Sequence, residues 1–360
     1  MIPFASNRFI GNNGSKFYIK PSLYKNEWSY YYKQYITAYD YLIGIANNKQ
    51  YQMNCQFMSF MFIFRQSVEL MLKYQLSTIN QVIPLTHSLS KLAEGLDERF
   101  IRLVNNTPKL YPDSDGSQFR YYNSNDGTPY FHHSEILKVA NDCNTFINFA
   151  NNDCPIVHIK NSINPRDKVI DHELCFYTSE CRGLGFVRSH YDMTLDCLTL
   201  AIINGGLDAN DIYLPILFLI RHGIELAIKS NLLDLGNSLS EKGQRALVNE
   251  HNVFQLFKLL SENIEGAINS IPKDDKFRTE AERYKTKVIE LKDLIHKFDA
   301  KSDIFRYPGG KNLKFKEDVI LTALKLYYET DAFLTNAVLV LFEAGYLEIG
   351  DDVIYQYYYQ

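Results

Sequence analysis

Arginine, glutamate and lysine recur at four-residue spacing in two places: Arg65, Glu69 and Lys73, then Arg221, Glu225 and Lys229. Each set sits inside an otherwise apolar stretch. A spacing of four puts the three side chains on one face of a helix, and the apolar surroundings turn that helix into the interior of a bundle. Charges taken out of water must be paired and hydrogen-bonded. Such a set can do chemistry: a guanidinium grips phosphate and a carboxylate orients the guanidinium. A histidine brought alongside transfers protons near neutral pH. The same stripe serves equally as an ion-pair network that orients helices and does no chemistry, since structural pairs also gather charge.

Two further landmarks follow each stripe in the same order. A histidine opens a new apolar segment, His87 in the first case and His251 in the second, and then comes the tripeptide Phe-Arg-Tyr, at Phe119-Arg120-Tyr121 and at Phe305-Arg306-Tyr307. Three landmarks in one order indicate an internal duplication, with the helices offset by 156 residues. The candidate polar residues are therefore Arg65, Glu69, His87 and Arg120, with Arg221, Glu225, His251 and Arg306 as counterparts. Arg120 and Arg306 would fold back from their loops onto the stripes, and their aromatic neighbours would wall the pairs off from water.

The elements that must hold these residues are helical. The chain of 360 residues is 46% apolar and 22% charged, the make-up of a globular protein with ample core. Helical patterning covers 27–48, 53–78, 87–105 and 134–151, then 189–204, 211–235, 251–265, 279–299 and 315–344. Pro215 is compatible with its helix if Asp211 is the N-cap, because first-turn amides lack intrahelical partners. The second copy is 22 residues longer between its histidine and its tripeptide, which the extra helix at 279–299 accounts for. This gives an N-terminal extension at 1–26, a first bundle at 27–151 and a linker at 152–188. A second bundle follows at 189–344, and a tail at 345–360. Short strands are expected at Lys16–Lys20 and Pro155–Lys160, with a hairpin across Gly350-Asp351-Asp352.

At this point the chain resembles the HEPN superfamily, small all-α bundles of prokaryotic toxins, antiphage defence proteins and CRISPR-associated ribonucleases. The resemblance covers 27–151 and 189–344 and rests on helix order, the Arg-x3-Glu stripe, the histidine and the tripeptide. It implies two tandem bundles forming an internal pseudo-dimer, with minor β additions. It also implies a metal-independent ribonuclease that assists attack of a ribose 2′-OH on the adjacent phosphate, with no cofactor. The implied ligand is RNA or a nucleotide. The family's Arg-x4-6-His motif is absent from the final helix of either unit. Its two matches, Arg166–His172 and Arg245–His251, lie elsewhere, and chance spacing explains them. The competing reading is a non-catalytic interaction module that binds a protein partner or a second copy of itself.

Other classes are disfavoured. A formal charge of −4 supplies no global basic field for nucleic acid, although local patches remain, such as Lys311, Lys314 and Lys316. Six cysteines without a C-x-x-C pair fit reduced thiols, and the start of the chain reads as cytoplasmic rather than secretory. The apolar segments carry Arg and Glu, which a lipid-spanning helix disfavours. His172, Glu173, Cys175 and Cys181 follow no zinc spacing. His132-His133 reads as a helix start, and Gly183-Leu184-Gly185 and Gly309-Gly310 lack the setting of a phosphate loop.

Overall fold

The computed structural model describes residues 13–47, 56–107, 119–121, 142, 145–150, 152, 184–234, 249–298, 303–309 and 314–346. Within them the protein is helical, with no strand. Two short 3-10 turns, Gly14–Phe17 and Pro21–Leu23, precede α1 (Trp28–Asn47), α2 (Phe57–Thr78), α3 (Leu89–Ala93) and α4 (Glu98–Asn106). Then come α5 (Leu184–Ile203), α6 (Ala209–Asp234), α7 (Val253–Ser270), α8 (Arg278–Phe298) and α9 (Val319–Glu343). None of these helices is long and apolar enough to cross a membrane.

The two charged stripes lie on the two most deeply buried helices. α2 is buried without interruption from Phe57 to Lys73, and α6 from Ile212 to Lys229. A helix buried on every face has no solvated side on which to leave its charges, so each must find a partner within the protein. The chain forms two compact units: residues 1–219 with 305–320, and residues 220–304 with 321–360. The boundary falls inside α6, and the second Phe-Arg-Tyr tripeptide belongs to the first unit.

Inside the first unit the repeated segments meet reciprocally. The Leu214 amide donates to Gln34 Oε1 at 3.2 Å, and the Met58 amide, 156 residues earlier, donates to His190 Nδ1 at 3.2 Å, Gln34 and His190 being counterparts. Tyr35 donates to the Phe305 carbonyl at 3.1 Å, and its counterpart Tyr191 donates to the Phe119 carbonyl at 2.9 Å. Phe62 stacks on its own counterpart Phe218, with centroids 4.4 Å apart and planes 14° apart.

Several expectations need correction. The alternating segment Lys16–Lys20 is no strand. Phe17 and Ile19 are buried, but the segment begins in a 3-10 turn, and among the described residues its one backbone–backbone bond to a distant segment runs from the Ile19 N–H to the Glu317 carbonyl at 2.9 Å. The helix expected over 87–105 is two helices. A Cβ on Gly95 would stand 2.8 Å from Leu76 Cδ2, so the chain passes close to α2 there, and Asp97 then caps a fresh helix through the Arg99 amide. Asp211 is not the cap of α6, which starts at Ala209 behind Asp208. Pro215 therefore lies inside the helix. Its ring crowds the preceding turn, and the Gln34 side-chain amide fills the opening. It takes the Leu214 N–H on its oxygen and gives its own N–H to the Asn210 carbonyl. The strand at Pro155–Lys160 and the hairpin lie outside the described residues. So do Arg166–His172, Arg245, His132-His133, Lys311 and the group from His172 to Cys181.

Candidate functional site

Glu69 is fully buried and both its oxygens are used. Oε2 takes Arg65 Nη1 at 2.6 Å; Oε1 takes Lys73 Nζ at 2.7 Å and His87 Nδ1 at 3.0 Å. The second terminal nitrogen of Arg65 donates to the His87 carbonyl. Arg65 is 2% exposed and Lys73 5%. Burial pushes the Glu69 carboxyl up, but the His87 hydrogen bond and the charges of Arg65 and Lys73 outweigh it and hold the carboxyl well below its ordinary value. An ionised carboxylate only accepts, so the proton between it and His87 sits on Nδ1. Among the described residues the partners of the His87 ring fall on Nδ1 or on the ring face and none on Nε2, and the side chain is 41% exposed.

Local sequence explains why the histidine comes here. The residue after each landmark histidine is the N-cap of the next helix: Ser88 accepts from the Lys91 amide and Asn252 from the Gln255 amide. The cap fixes the entry of the chain, and the buried arginine pulls the histidine carbonyl inward. The side chain is thereby aimed at the glutamate.

The second unit repeats the arrangement. Glu225 Oε2 takes Arg221 Nη1 at 2.6 Å; Oε1 takes Lys229 Nζ at 3.2 Å and His251 Nδ1 at 3.0 Å. Arg221 Nη2 donates to the His251 carbonyl, and His251 is again 41% exposed. Burial would raise the Glu225 carboxyl; Arg221, His222 and His251 together hold it well below its ordinary value. The surroundings differ between the two clusters. His222, fully buried with Nδ1 3.6 Å from Glu225 Oε2, stands where the first copy has Gln66. Gly223 stands where the first has Ser67, and a Cβ there would meet Tyr327 Cε2 at 2.8 Å.

The tripeptides are placed otherwise than expected. The aromatic wall of the first cluster comes from the second tripeptide. The Tyr307 hydroxyl stands 3.0 Å from His87 Nδ1 and donates to Gln66 Oε1 at 3.4 Å, and its ring lies 4.3 Å from Lys73 Nζ. Burial, reinforced by the Glu69 charge, raises the Tyr307 hydroxyl well above its ordinary value and keeps it neutral. Arg306 is buried with its guanidinium 5.0 Å from the Tyr307 ring, and its carbonyl accepts from Gln66. Arg120 is half-buried beside the ring of Tyr121, at 5.2 Å. The sequence thus brings together Arg65, Glu69 and His87 in one unit and Arg221, Glu225 and His251 in the other. From sequence, Tyr307 is named only as an aromatic neighbour of Arg306, and Gln66, His222 and Trp28 are given no role at the site. The signals were there: the third letter of a repeated tripeptide, two internal positions of the stripe, and the only tryptophan of the chain. Among the described residues no group of three or more His, Cys, Asp and Glu side chains stands close enough to hold a metal ion.

No protein-family model, curated protein or solved structure matches the chain.

Proposed function

We propose that the chain is a divergent tandem HEPN-like protein of the toxin or antiphage-defence class, acting on RNA or a nucleotide by acid–base chemistry at His87 and His251. The observation that carries this is the histidine–carboxylate pair, formed twice at 3.0 Å, each with a buried ionised glutamate behind a half-exposed imidazole. The glutamate holds the Nδ1–H tautomer and stabilises the imidazolium, as the buried carboxylate does in a hydrolase triad. At His87 the Nε2 then takes the proton from a ribose 2′-OH as its oxygen attacks the adjacent phosphorus. The bond from phosphorus to the 5′-oxygen breaks, the leaving oxygen is protonated, and a 2′,3′-cyclic phosphate remains. Arg65 is not the phosphate holder in this scheme. Both its terminal nitrogens face inward, so arginine and lysine secure the glutamate's charge, and histidine meets the substrate. The reciprocal contacts and the Phe62–Phe218 stack support the pseudo-dimer.

One observation favours the non-catalytic interaction module: Arg, Glu and Lys are buried and spend their hydrogen bonds on one another, as in networks that only specify a fold. Incubation of total RNA and tRNA with purified protein in chelator separates the two, with His87→Ala/His251→Ala as the comparison. Cleavage by the parent alone, leaving cyclic phosphate ends, supports catalysis. Equal product from both refutes the histidine assignment, and no product from either favours the module.

A further inference from the structure

We infer that the first half-site seats an unpaired nucleobase on Trp28, beside His87, an inference that rests on the reading of the protein as acting on RNA or a nucleotide. Tyr307 has an aromatic neighbour in both His87 and Trp28. The imidazole of His87 lies 5.4 Å from the ring of Tyr307, and Tyr307 lies 6.2 Å from Trp28. Lys73 Nζ sits 4.3 Å from the Tyr307 centroid and 5.4 Å from that of Trp28. Lys73 is buried, so the face of Trp28 turned to it is the inner face. Trp28 is only half-buried, and the face away from Lys73 is the one we assign to the base. The half-exposed His87 stands on the far side of Tyr307 from Trp28. The position of the indole is fixed: Trp28 begins α1, and Asn26 beside it accepts from the Gly309 amide at 3.1 Å, tying down the loop that carries Tyr307.

Stacking on an indole is open to any base but requires that the base be unpaired. The second copy has Leu184 at the position of Trp28, so the two half-sites are not equivalent. The seat belongs to the first.

Trp28 is the only tryptophan, so its emission reports the seat directly. The probe is a single-stranded hexaribonucleotide with 2′-O-methyl riboses, which binds without being cleaved. The strand should quench Trp28 saturably, the same strand annealed to its complement should not, and adenosine monophosphate alone tests whether one base suffices. By anisotropy of the labelled strand, Trp28→Ala should bind roughly 5- to 100-fold more weakly, and Trp28→Phe should recover most of the affinity. Binding of the strand without quenching, or equally by Trp28→Ala, overturns the seat and leaves the histidine chemistry standing. Quenching by the duplex to the same extent also overturns it. If no strand binds and the parent cleaves no RNA, the seat falls together with the reading on which it rests.

Discussion

Replacing Glu69 with alanine removes one carboxylate and leaves two cations behind. Arg65 and Lys73 are 2% and 5% exposed, and neither can reach bulk water without moving α2, which is buried along that whole stretch. Three charge-assisted bonds, at 2.6, 2.7 and 3.0 Å, disappear together. Breaking a buried pair by removing one partner costs about 3–5 kcal/mol, mostly the penalty of the stranded charge. With two cations sharing the one anion, the loss should reach the upper part of that range. That is roughly three powers of ten in the unfolding constant of the first unit. Urea titration followed by Trp28 emission measures it, because the tryptophan lies in that unit, beside Lys73.

Two controls make the argument refutable. Replacing the whole set, Arg65→Met, Glu69→Leu and Lys73→Met, leaves no stranded charge, so the triple variant should lie within about 1 kcal/mol of the parent. The second control is pH. The folded state holds the Glu69 carboxyl below its ordinary value of 4.5. Its contribution is therefore complete above pH 4.5 and is lost as the pH falls from there toward the depressed folded value. The gap between parent and Glu69→Ala should accordingly narrow below pH 4.5. A loss under about 1 kcal/mol at pH 7, a triple variant as damaged as the single one, or a gap that widens in acid would each sink the account.

Two further outcomes are expected. Gln34→Ala strands the Leu214 N–H and the Asn210 carbonyl and should cost about 1–3 kcal/mol. In a Pro215→Ala background these two backbone groups can close on each other, so the cost should shrink, and strictly additive losses in a double-mutant cycle would refute the wedge. Burial pushes the Asp40 carboxyl up to about 7, and burial with help from Asp192 pushes Asp196 up to about 6. Their stabilising contribution is complete below the ordinary value of 3.8 and is lost as the pH rises through 6 and 7. His190, drawn down to about 4 by burial, acts oppositely at lower pH. The stability advantage of Asp40→Asn over the parent should therefore grow from pH 5 to pH 8; a constant difference would refute it.

The charged stripes were legible because a period of four on an apolar background leaves few other placements. The histidines were legible as landmarks because each precedes a capping residue. What the linear order of landmarks does not encode is pairing. Phe119-Arg120-Tyr121 is nearer in sequence to the first stripe, yet Tyr307 reaches it, since packing of the repeated helices decides which loop lies over which cluster. The strand expected at Lys16–Lys20 does not form although Phe17 and Ile19 are buried; burial of alternate residues needs a core beneath, not a ladder beside. The helix expected over 87–105 is broken at Gly95, where the nearness of Leu76 leaves no room for a Cβ. Pro215 was explained by a cap three residues too late, because the side chain that repairs the helix comes from Gln34, 181 residues before it.

The two clusters keep their charges and vary everything around them, and energetics explains the division. Each oxygen of Glu69 and Glu225 is occupied by a charged group or an imidazole, so removing the glutamate strands buried cations at a cost of about 3–5 kcal/mol. Gln66 against His222, Ser67 against Gly223 and Trp28 against Leu184 leave the Arg–Glu–Lys set itself unchanged. Duplication therefore copies a rigid ion-pair frame and leaves its neighbours free to diverge. In the second cluster the divergence places a buried imidazole, His222, 3.6 Å from Glu225 Oε2, and that carboxylate faces two histidines. In the first, a neutral amide and a tyrosine hydroxyl occupy the corresponding surroundings. Glu69 thus orients a single imidazole while Glu225 divides its field between two. The two histidine–carboxylate pairs, equal in distance and exposure, are electrostatically distinct, and substitution at His87 and at His251 should not be interchangeable.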